Sequence, residues 1–190
     1  MELKKMHRFF SLADFKDEEQ FLMEQHRNGW KFLGTGGFTY RFEACEPEEY
    51  IYQLDYNDEE NDESSYLAIY EDYGWEYLMK LNSFYYFRKK KSESAEENQI
   101  FSDNTSKAER CKKILKRQAI LLTTFFTVLL CCFIIPLANS SGAKWSSVAF
   151  RTIMTIFICI YVLIFLLHMR NFRKLNEMIA ALRNPLERKE

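Results

Sequence analysis

Two apolar runs constrain this chain more than anything else in it. Residues 119–137 read AILLTTFFTVLLCCFIIPL, nineteen positions without a charge. As a helix they span roughly 28 Å, close to the hydrocarbon thickness of a bilayer. Residues 148–168, VAFRTIMTIFICIYVLIFLLH, contain one charge, Arg151, a turn from the start, where a long side chain can reach the headgroups. A soluble fold could hold such runs only as a pair of fully buried helices, so they predict two membrane spans. The flanks predict the direction. Lys107, Arg110, Lys112, Lys113, Lys116 and Arg117 precede the first run, and Arg170, Arg173 and Lys174 follow the second. The connector, residues 138–147, holds only Lys144. Cytoplasmic segments keep the excess of Lys and Arg, so a two-pass protein of the cell membrane is expected, both termini cytoplasmic, with Trp145 at the outer interface. Residues 92–118 then read as a polar tether and basic juxtamembrane helix. In the tail, residues 169–190, Leu175, Met178, Ile179 and Leu182 recur at helical spacing, either as a separate amphipathic helix or as a continuation of the second span.

Residues 1–91 differ in kind. They hold 19 acidic and 12 basic side chains, whereas residues 92–190 hold 8 and 14. An acidic front half argues against nucleic-acid binding, which needs clustered Lys and Arg. It also repeats itself. NGWKFLGTGGFTYRF at 28–42 is echoed by YGWEYLMKLNSFYYFR at 73–88. A shift of 45 lays Phe21-Leu22 on Tyr66-Leu67, Gly29-Trp30 on Gly74-Trp75 and Phe32-Leu33 on Tyr77-Leu78, and one insertion brings Phe38 and Tyr40 onto Phe84 and Tyr86. Each copy places a helix-forming stretch before Gly, a residue suited to the left-handed turn that ends helices, and then two aromatic strands. Upstream lie further strand candidates, MHRFFSL, followed by Asp14 or Asp17 as a helix cap, and YIYQLDY, whose alternation gives it two different faces. The expectation is an α+β domain of duplicated strand-helix-strand-strand units, related by a pseudo-twofold, followed by two transmembrane helices.

The chemistry-bearing residues are few. Trp30 and Trp75 follow the two glycines, and with Tyr40, Tyr52 and Tyr86 they are the candidate ligand-binding set: either an aromatic groove between the units or core packing. The GTGG at 34–37 joins two strands with no following Lys-Ser or Lys-Thr, so it reads as a hairpin turn and not a phosphate loop. In DYNDEENDE, residues 55–63, Asp55, Asn57 and Glu59 match the first calcium-ligand positions, but Glu60 stands where the sharp turn needs Gly; a solvated acidic loop is the expectation. The five cysteines have neither metal-ligand nor disulfide-ladder spacing, which fits a reducing compartment. Cys111, beside the first span, is open to acylation or is a plain cysteine. His7, His26 and His168 lack ligand partners at helical spacing, and Glu43, Glu46, Glu48 and Glu49 single out no acid/base pair. Neither enzyme activity nor a metal or cofactor is expected.

The succession of GW after the first helix, FTYRF, YIYQLD, YEDYGWE and the later IFSD resembles the bacterial DUF2812 family over most of residues 5–110. The resemblance implies a bacterial protein, often with C-terminal membrane spans, encoded near PadR-type repressors and hence with a regulatory role; it implies no catalytic residues. The duplicated order is also similar to GyrI-like effector-binding domains, which hold small molecules between repeats. The functional expectation is a membrane-anchored cytoplasmic sensor or regulatory module binding a small apolar or aromatic ligand. The alternative is a protein-interaction subunit, accessory to a transporter or partner of a transcriptional regulator.

Overall fold

The glycines that close the two helices order the front of the chain. Gly29 and Gly74 have φ of +82° and +76°, and their amides bond the carbonyls of His26 and Glu71 at 2.9 and 2.8 Å. A side chain is strained at such angles, and at Gly29 a Cβ would also meet the Cys45 carbonyl oxygen at 3.1 Å. In a computed structural model, which describes residues 2–58, 62–92, 104–139 and 148–187, the elements are β1 (Leu3–His7), α1 (Phe15–Arg27), β2 (Trp30–Thr35), β3 (Thr39–Ala44), β4 (Tyr50–Tyr56), α2 (Glu63–Asp72), β5 (Glu76–Leu81), β6 (Phe84–Lys90), α3 (Asn104–Asn139) and α4 (Val148–Glu187). Trp145, most of the expected connector, the IFSD stretch and the middle of the acidic loop lie outside the described residues. Two compact units result, Met1–Arg110 with Leu182–Glu190 and Cys111–Ala181.

The first unit repeats strand-helix-strand-strand, as the sequence predicts. Both sheets are antiparallel with matching orders, β1-β3-β2 in sheet 1 and β4-β6-β5 in sheet 2. The repetition extends to defects. The ladder skips Leu33 in β2 and Leu78 in β5, so each unit carries a bulge at the same place, 45 residues apart. The GTGG hairpin turn is present, with the Gly37 amide on Thr35 Oγ1 at 3.0 Å. Its counterpart is the two-residue turn Asn82-Ser83, with φ of 50° and 67°, the left-handed pair that suits the twist of a hairpin. Asp14 stands at the N-cap of α1 but turns its carboxylate to the Ser11 amide and hydroxyl, at 3.1 and 2.6 Å.

The pairing corrects two expectations. Met6 and Thr35 flank Tyr40, as Asp55 and Lys80 flank Tyr85. Tyr40 is therefore the counterpart of Tyr85 and not of Tyr86; the shift stays 45 and no insertion is needed. Nor is the relation between units twofold. Sheet 1 packs Phe32, Tyr40 and Phe42 against α1, where Phe21 meets Tyr40 and Phe42 edge-on at 5.5 and 5.9 Å. The other side of α1 meets sheet 2, with Phe15 on Phe84 at 5.9 Å and His26 on Tyr50 at 4.2 Å. The opposite face of sheet 2 packs Tyr85 and Phe87 against α2, with Tyr70 stacked on Phe87 at 3.8 Å. The succession is sheet 1, α1, sheet 2, α2. A twofold would return α2 to the outer face of sheet 1, since such contacts are reciprocal. That face, Leu3, Lys5, His7 and Arg41, is exposed instead.

In the second unit Phe125 of α3 packs on Tyr161 of α4 at 4.4 Å, and Ile114 and Leu175 are fully buried. The second apolar run and the tail form one unbroken helix, so the tail continues α4. Among the described residues one helix is long and apolar enough to cross a membrane, Arg151–Arg183 in α4, with mean hydropathy 2.5 and none of its apolar window buried. The first run lies in α3, whose side chains from residue 132 on are outside the described set.

Candidate functional site

A helix covered on two sides must bury polar residues if its sequence has them, and α1 does. Glu18, Glu19, Gln25 and His26 are all buried. Each carboxylate is provided for, because an uncompensated buried charge would be costly. The hydroxyls of Tyr40 and Tyr86, one from each sheet, both donate to Glu18 Oε1 at 2.7 Å. Burial holds the Glu18 carboxyl above its usual range, and the two phenols only partly offset this. Burial and the adjacent carboxylate push both tyrosines up. Glu19 accepts from the Leu54 amide at 2.9 Å and from Lys16 at 2.7 Å. Its pKa is raised by burial, against the pull of Lys16, the Leu54 amide and Arg110.

A third buried carboxylate, Asp55, lies on the α2 side of sheet 2. It takes the Tyr66 hydroxyl at 2.7 Å, the Tyr70 hydroxyl and Arg110 Nη1. Asp55 thus belongs to β4 and to the core, not to the solvated acidic loop that the sequence suggested. Among the described residues no group of His, Cys, Asp and Glu could hold a metal ion.

Open space is found at the other end of α1. A cleft of about 310 Å³ is lined by His26, Lys31, Cys45, Glu46, Glu48, Tyr50 and Arg88. His26 stacks on Tyr50 with 12° between the rings, and its Nδ1 lies 2.8 Å from the Tyr52 hydroxyl. The Phe32 amide donates to the Tyr52 oxygen at 3.4 Å, so the phenolic proton is directed at Nδ1 and the neutral imidazole keeps its own proton on Nε2. Burial, followed by the Arg88 charge, lowers the His26 pKa to about 4. Lys31 pairs with Glu43 at 3.0 Å, Glu48 with Lys90 at 2.9 Å, and Arg88 grips Glu76 through two 2.7 Å contacts. The cleft therefore offers an aromatic floor and a rim of mostly paired charges, with His26 bonded to the Tyr52 hydroxyl.

Of the five residues chosen from sequence, Tyr40, Tyr52 and Tyr86 converge on α1 and on Phe32, whose ring lies 6.1, 6.3 and 5.8 Å from theirs. The two tryptophans do not join them. Trp75 sits in the α2-side core with Tyr70, Tyr85 and Phe87; Trp30 is half-buried at the start of β2 under the Lys4 ammonium, 4.9 Å from its ring. Head-to-tail stacking separates positions that a twofold would have brought face to face. Glu18, Asp55 and Arg110 escaped the sequence reading. Glu18 and Asp55 are single acids among many, and Arg110 lies in a basic cluster that reads in the sequence as the flank of a span. The alternation in YIYQLDY, which puts Asp55 on the opposite face from Tyr52 and Leu54, was the available signal.

A protein family of unknown function, DUF2812, matches residues 14–125, more than half of the chain. The chain belongs to the DUF2812 family. Among curated proteins and among solved structures, none matches it. The DUF2812 match runs from the N-cap of α1 into α3, so the family region includes Glu18, Asp55 and Arg110 and leaves out α4.

Proposed function

We propose that the chain is a membrane-anchored regulatory module whose α+β domain governs a membrane helix through the Asp55–Arg110 contact. One observation supports this most. Arg110 lies in the second turn of α3 and is bonded to a core carboxylate that also receives two phenols of α2, while α3 runs on without a break into the apolar stretch from Ala119. Removing one partner of a buried ion pair costs about 3–5 kcal/mol, so in this reading the contact is the switch, made in one state of the module and broken in the other. In this reading residues 119–137 and 148–168 both cross the bilayer, with cytoplasmic termini. A small aromatic ligand enters at the His26 cleft, stacks on Tyr50 and reaches the Tyr52 hydroxyl.

The test uses the full chain in lipid nanodiscs. Aromatic amphiphiles are screened for a saturable rise in melting temperature, because a ligand preferring the native state stabilises it. Hydrogen exchange is then followed over residues 104–118. The proposal expects a stabilising compound to change exchange there in the wild type and not in Asp55→Asn. A silent library, or a compound that stabilises without altering α3, overturns it.

A further inference from the structure

Both units have the same topology, so each side chain on the outer face of sheet 1 has a counterpart in sheet 2. Register alignment sets Leu3, Lys5, His7, Thr39 and Arg41 against Tyr52, Leu54, Tyr56, Phe84 and Tyr86. The second set is buried under α1. In the first, four of the five are exposed and two are cations. Lys5 and Arg41 are direct cross-strand partners, and like charges so placed repel. Neither is in an ion pair among the described residues. The fold gains nothing from this pair, so its charge points to a partner outside the domain.

A second feature lies at the end of the same sheet, where β1 finishes and the β2–β3 hairpin turns. Phe9 and Phe38 are 57% and 65% exposed, yet their rings stack at 5.3 Å and 14°. The Arg8 amide ties the two segments by bonding the Phe38 carbonyl at 3.1 Å, and its side chain is exposed. Arg8 turns to the α1 side, its guanidinium 5.7 Å from the Phe21 ring, but two aromatic rings held in water at the end of the face that carries Lys5 and Arg41 have the composition of a membrane-surface element, in which rings enter the headgroup region and Lys and Arg meet acidic lipid.

We propose that this end of sheet 1, with the Phe9–Phe38 pair as wedge and Lys5 and Arg41 as its charges, docks on the anionic leaflet of the membrane that anchors the chain. It rests on the anchored reading of the apolar runs. Charge complementarity selects the occupant. A neutral or basic surface gains nothing from a pair of cations, and anchoring keeps headgroups at high effective concentration. Docking gives the module a lipid-dependent position, weakened by salt.

The full chain is reconstituted into nanodiscs of phosphatidylcholine, with and without phosphatidylglycerol, and hydrogen exchange is read over residues 33–41. The expected result is slower exchange of this hairpin in the anionic discs, reversed by high salt. Each basic residue near an anionic surface contributes about a fivefold factor to binding. The double variant Lys5→Glu, Arg41→Glu thus lowers the lipid-dependent protection by more than ~20-fold, and Phe9→Ser, Phe38→Ser removes it with α1 exchange unchanged. A chain that does not enter discs of either composition overturns the anchored reading and this proposal with it. Insertion with identical exchange in both lipids overturns the docking alone. Protection that follows the number of chains per disc and not the lipid assigns the surface to a second copy, and also overturns it.

Discussion

Sheet 1 and sheet 2 have one topology and opposite fates. Sheet 2 is covered on both faces, by α1 and by α2, and its α1-side positions are Tyr52, Leu54, Tyr56, Phe84 and Tyr86. Sheet 1 is covered on one face, and the same positions hold mostly polar or charged residues. A repeated fold therefore does not imply repeated burial: the outer face of a repeat is set by its neighbour, and terminal repeats take polar outer faces. The unit that comes first in the sequence is the exposed end of the stack.

Exchanging residues between the two faces breaks the comparison most sharply. Tyr86→Arg puts into sheet 2 the residue that sheet 1 carries at Arg41. It buries a guanidinium between Phe32 and Glu18, and a loss above ~4 kcal/mol is expected in chemical denaturation. The reverse exchange, Arg41→Tyr, should stay within ~0.5 kcal/mol of wild type. Equal losses from the two would show that the faces are not used differently. Next in size is Asp55→Asn, which strips the counterion from Arg110 and should cost about 3–5 kcal/mol; adding Arg110→Met should recover a good part of it. If the double variant is no better than the single one, the pair is not coupled.

His26 offers a titration found only in the α1–sheet 2 contact. Its pKa in the fold, about 4, is below the ordinary 6.5, so the folded state binds this proton less readily than the unfolded one. The stability it contributes is present above pH 6.5 and is lost as pH falls from 6.5 toward 4. A His26→Gln chain should show a shallower fall in melting temperature over that window, and an unchanged slope would remove the histidine from the account. The smallest effect belongs to the open face. Lys5→Thr relieves the repulsion with Arg41 and should raise stability by ~0.2–1 kcal/mol in low salt, less in high salt.

What the sequence showed was local. Gly29 and Gly74, the GTGG turn and the alternation of YIYQLDY determine elements through their own backbone demands, and the order of strands and helices follows from them. The stacking was not local. One insertion in the repeat alignment laid Tyr40 on Tyr86 and so matched an α1-facing side chain of sheet 1 with one from the opposite face of sheet 2. In a strand a slip of one residue exchanges the faces, and a twofold then looks natural. The ladder, with its bulges at Leu33 and Leu78, removes the slip. The three tyrosines were legible as aromatic residues in strands. Their shared acceptors were not, because Glu18 and His26 acquire meaning only when the second sheet is laid across α1.

That arrangement bears on how the chain is made. The first repeat emerges from the ribosome before β4, so for a time α1 has sheet 1 on one side and water on the other. Its waiting side carries Glu18, Glu19 and His26 beside Phe15, a mixed surface less prone to draw the nascent half into aggregates than an unbroken run of leucines and phenylalanines. The polar residues that complicate the finished core thus limit the apolar surface that the half-built protein exposes. A ribosome-bound chain with residues 1–47 clear of the exit tunnel and β4 still inside it is expected to resist protease at sheet 1 while His26 titrates near its ordinary value, and to lose that titration once β4 to β6 emerge.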